Sequence, residues 1–253
     1  MALKEGHHWL VQDVLASASG YRTMIAWEQF DRIYLINLAY RPDRRRHALK
    51  EIKQVIGIDP PQLQIFDAIR PGEEAGFPSI GARGCFLSHL SVLRQSLAAG
   101  HERILVLEDD IHFEPSIRDV SLPPHWDLLY LGHQIMGPPP TRVAEPSEHV
   151  LYTHSYAISR PAMKLLVEFL EGLLTRQPGD PAGGPQPLDW AFNWFRKTAP
   201  QLSTWIMLPP VCRQAHFLSD ITHRRWHDRV PWIRPFAISA RALLRAVSSK
   251  PAR

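Results

Sequence analysis

Three acidic residues in a row, Glu108, Asp109 and Asp110, follow directly on the apolar run RILVL at Arg103 to Leu107. Carboxylates this close repel one another at neutral pH, and each is costly to keep charged beside an apolar strand unless something positive compensates. A divalent cation would do so. Hard oxygen ligands suit Mg2+ or Mn2+, which keep open positions for substrate phosphates. If the chain stays extended, Glu108 and Asp110 face one way and Asp109 the other. Taken alone the tripeptide fits a solvated acidic turn equally well, and an acidic cluster also serves nucleases and phosphatases.

The elements that must position these residues can be read from period and punctuation. Ile33 to Leu38 (IYLINL) reads as a buried strand. A helix follows, started by Pro42 and Asp43, with Leu49, Ile52 and Ile56 at helical spacing and Gly57 at a left-handed end. A strand over Leu63 to Ile69 precedes a helix that carries Phe86, Leu90, Leu93 and Leu97 on one face and stops at Gly100. Arg103 to Leu107 is the next strand, with others at Leu128 to Leu131, Leu151 to Ile158 and Thr204 to Leu208. Further helices open at Pro161 and around Leu188. The alternation predicts an α/β domain on a mostly parallel sheet with helices on both faces. In such sheets ligands gather at the carboxyl ends of strands, which is where the acidic triplet lies. Gln177 to Pro187 (QPGDPAGGPQP) reads as a flexible loop, either a lid or a plain linker.

Three spaced segments, INLAYRPDRR (Ile36 to Arg45), GCFLSHLSVL (Gly84 to Leu93) and ILVLEDDIHFEP (Ile104 to Pro115), closely resemble glycosyltransferase family 25. The likeness continues through THSYAISRPAMKLL (Thr153 to Leu166), PLDWAF (Pro187 to Phe192) and QAHFLSDI (Gln214 to Ile221), and covers Asp31 to Thr222. The family includes bacterial lipooligosaccharide galactosyltransferases and the catalytic modules of collagen galactosyltransferases. The resemblance implies a GT-A-like nucleotide-sugar fold and an inverting transfer, with UDP-galactose as the donor and a carbohydrate such as lipopolysaccharide or another surface glycan as the acceptor. Under it, the cation falls chiefly to Asp110, with Glu108 and His216 completing the metal set. Asp189 matches the acidic position of the family's PLD-like motif and is the candidate base, although an Asp before a helix also serves as an N-cap. Donor contacts are assigned to Asn37, Arg41, Arg44, Ser88, His89, Glu108, Gln214, Ser219 and Asp220.

The remaining features bound the reading. A chain of 253 residues, 45% hydrophobic, suffices for one ordinary globular domain with appendages. The expected division is an N-terminal helical extension (1–30), the family 25-like catalytic domain (31–222) and a basic amphipathic tail (223–253). A net charge of +4 suits a phosphate-bearing partner or an anionic membrane surface without choosing between them. No nucleic-acid partner is expected. The two cysteines, Cys85 and Cys212, form no CxxC pair, which makes a reducing compartment the default. The protein is expected in the cytoplasm, with peripheral contact at the cytoplasmic face of the inner membrane through the tail's Arg241, Arg245 and Lys250. His223 and His227 have helical ligand spacing but no HExxH motif, which favours a surface explanation. Two rival functions share the same fold signals: a noncatalytic nucleotide-sugar or glycan-binding protein, and a metal-dependent nucleotide-sugar phosphohydrolase.

Overall fold

The structure is a computed structural model and describes residues 27–56, 61–135 and 149–215. The proposed N-terminal extension up to residue 26 and the tail, including His223 and His227, lie outside the described residues. A six-stranded sheet runs in the order β2 (Leu63–Asp67), β1 (Arg32–Asn37), β3 (Arg103–Glu108), β6 (Val150–Ser159), β5 (Leu128–Ile135), β7 (Thr204–Ile206). β1 pairs parallel with both β2 and β3, and β5 parallel with β7, while β6 runs antiparallel between β3 and β5. The sheet is therefore mostly parallel with one strand reversed. A two-stranded ribbon of β4 (Ile111–Phe113) and β8 (Cys212–Gln214) crosses the exit of β3. Sequence periodicity did not predict that ribbon, because three residues are too few to show alternation.

Side-chain alternation divides the sheet into two faces. Tyr34, Ile36, Ile104, Val106, Tyr130, Tyr156 and Ile158 point to a core shared with α2 (Ile80–Ala98), α3 (Arg160–Leu174) and α4 (Leu188–Thr198). Ile33, Leu35, Leu105, Leu107, Leu129, Leu131 and Ala157 point the other way, onto α1 (Pro42–Ile56), the ribbon and the Trp27, Phe30 and Trp126 rings. Burying each large aliphatic or aromatic side chain contributes about 1.5–3 kcal/mol, so both helical layers are held by the same strands. The expectation of an α/β domain with helices on both faces is met.

α2 carries the clearest local signals. Ser79 caps it by accepting from the Ala82 amide at 3.0 Å. Its far end closes when Gly100 takes φ +80, with Gly100 N–H donating to Leu97 O and His101 N–H to Ser96 O. Gly84, inside the helix, meets β2's exit closely: a Cβ there would stand 2.6 Å from the Ile69 carbonyl oxygen. The loop at 177–187, expected to be flexible, is instead tied down. Arg176 donates to the Ala182 carbonyl at 2.9 Å, and Gly183, at φ +90, leaves no room for a side chain beside Trp194.

Candidate active site

Three strands and two helices meet around one cavity. β1 supplies Asn37, the exit of β2 supplies Ala68 and Ile69, β3 supplies Glu108 and the turn after it, α1 supplies Arg44, and α2 supplies Ser88 and His89. A cavity of about 310 Å3 lies over these carboxyl ends, lined by Asn37's neighbours Leu38 and Tyr40, by Arg44, Arg70 and Cys85, and by Ser88, His89, Glu108 and Asp109. Position follows the general rule that loops after parallel strands build the ligand site.

The acidic turn is more closely organised than alternation predicts. β3 ends at Glu108, so the extended register stops there and Asp109 and Asp110 turn together. The Arg44 Nη2 atom lies 2.5 Å from Asp109 Oδ1 and 2.7 Å from Asp110 Oδ2. Asn37 Nδ2 donates to Asp109 Oδ2 at 2.6 Å, and to the Arg41 carbonyl at 3.2 Å. Glu108 takes a different partner: its Oε1 is 3.3 Å from His89 Nε2, whose ring stacks on Tyr156. His89 Nδ1 lies 3.1 Å from the Tyr156 hydroxyl. The expected opposition of Glu108 and Asp110 to Asp109 is thus corrected to a pairing of Asp109 with Asp110.

The charges in this turn do not balance. Burial pushes the Asp110 carboxyl up to about 7, with the negative charge of Glu108 adding to the shift against the pull of Arg44. Asp109 is raised by burial too, though Arg44 and Asn37 oppose the rise. Burial also pushes Glu108 upward, but the hydrogen bond and charge of His89 outweigh it and leave that carboxyl below its ordinary range. One guanidinium is shared by two carboxylates, and Asp110 Oδ1 is buried with no partner among the described residues. A buried acceptor in that condition costs about 1–3 kcal/mol or more. A cation beside Asp110 would supply the missing charge, and the metal-capable group that the described side chains form at this wall is Cys85, His89 and Glu108, whose ligand atoms lie within 4.8 Å of one another.

Asp189 stands on the first turn of α4; it does not line the cavity, but its charge is felt by Cys85 and it feels that of Glu108. Its Oδ1 accepts from the Trp190 amide at 2.9 Å, and the Tyr152 amide also donates to the carboxylate. Tyr152 adopts φ +69 where β6 bulges against β5, a bend that L residues seldom take. Asn193, one turn on, clamps the same strand by accepting from Val150 N–H and donating to Val150 O, both at 2.9 Å. Burial raises the Asp189 carboxyl, and Glu108 adds to the rise. The Cys85 thiol is pushed well above its usual value by burial and by the charges of Glu108, Asp189 and Asp110, so one electrostatic field joins all three acids.

The other sequence-predicted residues divide. Ser88 lines the cavity, but its hydroxyl donates to Gly84 O at 2.7 Å and accepts from Ile69 N–H at 2.8 Å, which makes it a brace for the β2 exit. Arg41 does not line the cavity; it closes a two-point pair with Asp43, at 3.0 and 2.9 Å. Gln214 pairs with Ile111 in the ribbon, and the next amide, Ala215, donates to the Asp110 carbonyl. His216, Ser219 and Asp220 lie outside the described residues. The sequence reading assigned no role to His154 or Tyr156, although both stand in the quoted segment THSYAIS. Their signal is a run of polar residues, Thr153 to Tyr156, in a strand that is buried from Thr153 to Ser159. Tyr40 and Arg70 at the cavity mouth, stacked with 5.1 Å from guanidinium to ring centre, were missed because each is a lone residue in a loop.

The family model described as glycosyltransferase family 25 (LPS biosynthesis protein) matches residues 77–122, the stretch from the α2 cap through the acidic turn. Over this stretch the chain is similar to the family 25 glycosyltransferases. A glycosyltransferase 25 family member of Anopheles gambiae is 27% identical over 231 residues, covering 74% of this chain and 37% of that protein. Procollagen galactosyltransferase 2 of Mus musculus is 30% identical over 193 residues, 63% of this chain and 29% of its own length. Inactive glycosyltransferase 25 family member 3 of Homo sapiens is 35% identical over 136 residues, 43% of this chain and 23% of that one. The chain thus spans about a third or less of these family 25 relatives. Among solved structures, a glycosyltransferase involved in glycosylation of the major capsid of PBCV-1 aligns with TM-score 0.37 and 12% identity, over 73% of this chain and 82% of that one.

Proposed function

We propose that this chain is a metal-assisted, inverting glycosyltransferase that moves galactose from UDP-galactose to a hydroxyl of a glycan or glycolipid acceptor. The observation that carries the reading is the only partly compensated carboxylate at the carboxyl end of β3, with Asp110 Oδ1 lacking a partner among the described residues. A donor diphosphate alone would worsen that charge. With a cation held by Asp110 and Glu108, the same wall becomes a diphosphate site. When bound, Mg2+ or Mn2+ supplies positive charge to the departing nucleoside diphosphate.

The chain's own residues do the rest. Arg44 and Asn37 fix the acidic turn so that Asp110 keeps one oxygen directed away from protein partners. His89, packed on Tyr156, holds Glu108 in its charged form. Tyr40 and Arg70 offer a flat, cationic wall at the mouth of the cavity for the nucleoside end of the donor. Asp189 accepts the proton of the acceptor hydroxyl as that oxygen bonds to the anomeric carbon and the bond to the nucleotide breaks. A carboxylate whose affinity for protons has been raised by burial is better suited to that task than an ordinary one.

The second reading, a noncatalytic nucleotide-sugar or glycan binder, is favoured by the relative named inactive and by the share of Asp110's charge that Arg44 already meets. The deciding experiment is a panel of nucleotide sugars with Mn2+, measuring nucleotide release with and without pooled oligosaccharide acceptors. Acceptor-dependent release is the expected result. Release of nucleoside monophosphate and sugar 1-phosphate without acceptor would make the protein a phosphohydrolase, and binding without release from any donor would make it a binder. Peripheral attachment at the cytoplasmic face of the inner membrane through residues 223–253 is part of the same proposal. It requires salt-sensitive binding to anionic liposomes that is lost when Trp232 to Arg253 are deleted.

A further inference from the structure

On the face of the sheet away from the cavity, α1 and the ribbon meet through three side chains that the mechanism does not use. His47 and Glu51 are four residues apart on α1 and therefore share a face, and His112 reaches them from β4. One ligand atom from each of the three lies within 4.8 Å of the other two. His112 Nδ1 is 3.2 Å from Glu51 Oε2. Two ligands on a tetrahedral metal with bonds of 2.0–2.1 Å are separated by about 3.3 Å, so this edge of a coordination shell already has its length. Closing the shell needs the third ligand atom, within 4.8 Å of the other two, to move inward.

We infer that His47, Glu51 and His112 form a second metal site, one that takes a borderline divalent ion such as Zn2+ or Co2+ rather than Mg2+. Two imidazoles and a carboxylate are a nitrogen-rich set that Mg2+ does not favour, and three protein ligands leave one position for water. The surroundings hold the ligands in place. His47 Nε2 lies 2.8 Å from the Ile111 carbonyl oxygen, and Glu51 Oε2 accepts from the Phe113 amide at 3.0 Å. These contacts orient a ring and a carboxylate by backbone groups, as outer partners do in metal sites. His47 and Glu51 are partly buried while His112 is half exposed, so an ion can enter from solvent.

The site has a consequence for the neighbouring chemistry. Arg44 lies one turn before His47 on α1, and Ile111 follows Asp110 directly. A metal at this position cross-links the helix that delivers the guanidinium to the strand that leaves the acidic turn. It sits outside the cavity and takes no part in transfer.

The test uses the full-length protein, titrated with Co2+ and followed by visible absorption, then competed with Zn2+. With excess Mg2+ present to fill the acidic-turn site, one equivalent of Co2+ with a tetrahedral nitrogen and oxygen spectrum and no thiolate charge-transfer band is expected. A thiolate band would move the metal to Cys85, His89 and Glu108 and overturn the proposal. In His112→Ala the Co2+ affinity should fall by about 100-fold or more, because a direct ligand matters at least as much as an outer one. His112 is half exposed, so this variant should keep the metal-free melting temperature of the parent. Glu51→Gln should lose the ion likewise, and Zn2+ should raise the melting temperature of the parent but not of His112→Ala. Equal affinity and equal thermal shift in parent and His112→Ala would sink the assignment, whatever the transfer assay shows.

Discussion

The two ends of the central sheet treat their carboxylates in opposite ways. At the amino end of β3, Asp31 Oδ2 accepts from the Glu102 and Arg103 amides at 2.6 and 3.0 Å. At the amino end of β5, Asp127 accepts from the Ser159 hydroxyl at 2.9 Å and the Ser203 amide at 3.0 Å. Both acids close backbone turns and join strand ends. At the carboxyl end, Glu108, Asp109 and Asp110 share one guanidinium and one imidazole, and an oxygen is left over. Acidity alone therefore does not mark a site. Acceptor capacity that the fold does not use does mark one.

The largest effect that would separate these ends comes from Asp110→Ala, which should abolish transfer and metal-stimulated donor binding. The fold should survive, because removing one carboxylate from a crowded turn relieves repulsion. Metal-independent transfer at the parental rate in this variant would erase the distinction between the two ends. Next comes Asp189→Asn, which keeps the oxygen that the Trp190 amide uses but removes basicity. Turnover should fall by a factor on the order of 10² to 10⁴, with donor affinity and melting temperature little changed. If Asp189 serves only as a helix-start residue, turnover would stay near normal instead.

The opposite end should respond in stability and not in chemistry. Asp127→Ala leaves the Ser203 amide without its acceptor and should cost about 1–3 kcal/mol in a urea melt. Activity per folded molecule should match the parent. A loss of turnover larger than the loss of folded protein would mean the two ends are coupled.

The smallest effect is a pH dependence. Asp110's carboxyl is raised in the folded protein from an ordinary 3.8 to about 7. A raised group stabilises the fold while protonated, so its contribution is complete below the unfolded value and is lost as pH climbs from about 4 through 7. Melting temperature without metal should therefore drop between pH 5 and pH 8, and that drop should shrink in Asp110→Asn. Glu108 is held below its ordinary value and has its window at lower pH. Cations compete with the proton on Asp110, so Mn2+ affinity should rise across the same interval. A flat Mn2+ affinity between pH 5 and pH 8 would place the ion elsewhere.

Much of this arrangement was legible before any coordinates. The apolar runs IYLINL and RILVL placed β1 and β3 to within one residue, because burial on both faces leaves a continuous apolar stretch, and the other four strands of the sheet were placed to within four residues at their ends. The Ser79 cap was not among the predicted signals, yet Gly100 was, since only a glycine takes that turn easily. Asn37, Arg44, His89 and Glu108 were singled out and do meet at one cavity or its wall. Arg41 was singled out on the same footing; its guanidinium pairs with Asp43, and its charge also acts on Asp109. Proximity in sequence to a motif does not say which way a long side chain goes.

The amino-acid order by itself determined the alternation of strand and helix, the acidic triplet at a strand exit and the likeness to family 25, all of which depend on local spacing. Only the tertiary structure decided that β6 runs backward between β3 and β5, bringing Tyr156 under His89 and the Tyr152 bend to Asp189. It alone decided that Arg44 serves both Asp109 and Asp110 while Glu108 goes to α2. Those partners are separated by up to 67 residues in the chain. A strand's period records which face is buried, but it holds no record of which distant residue will lie against it.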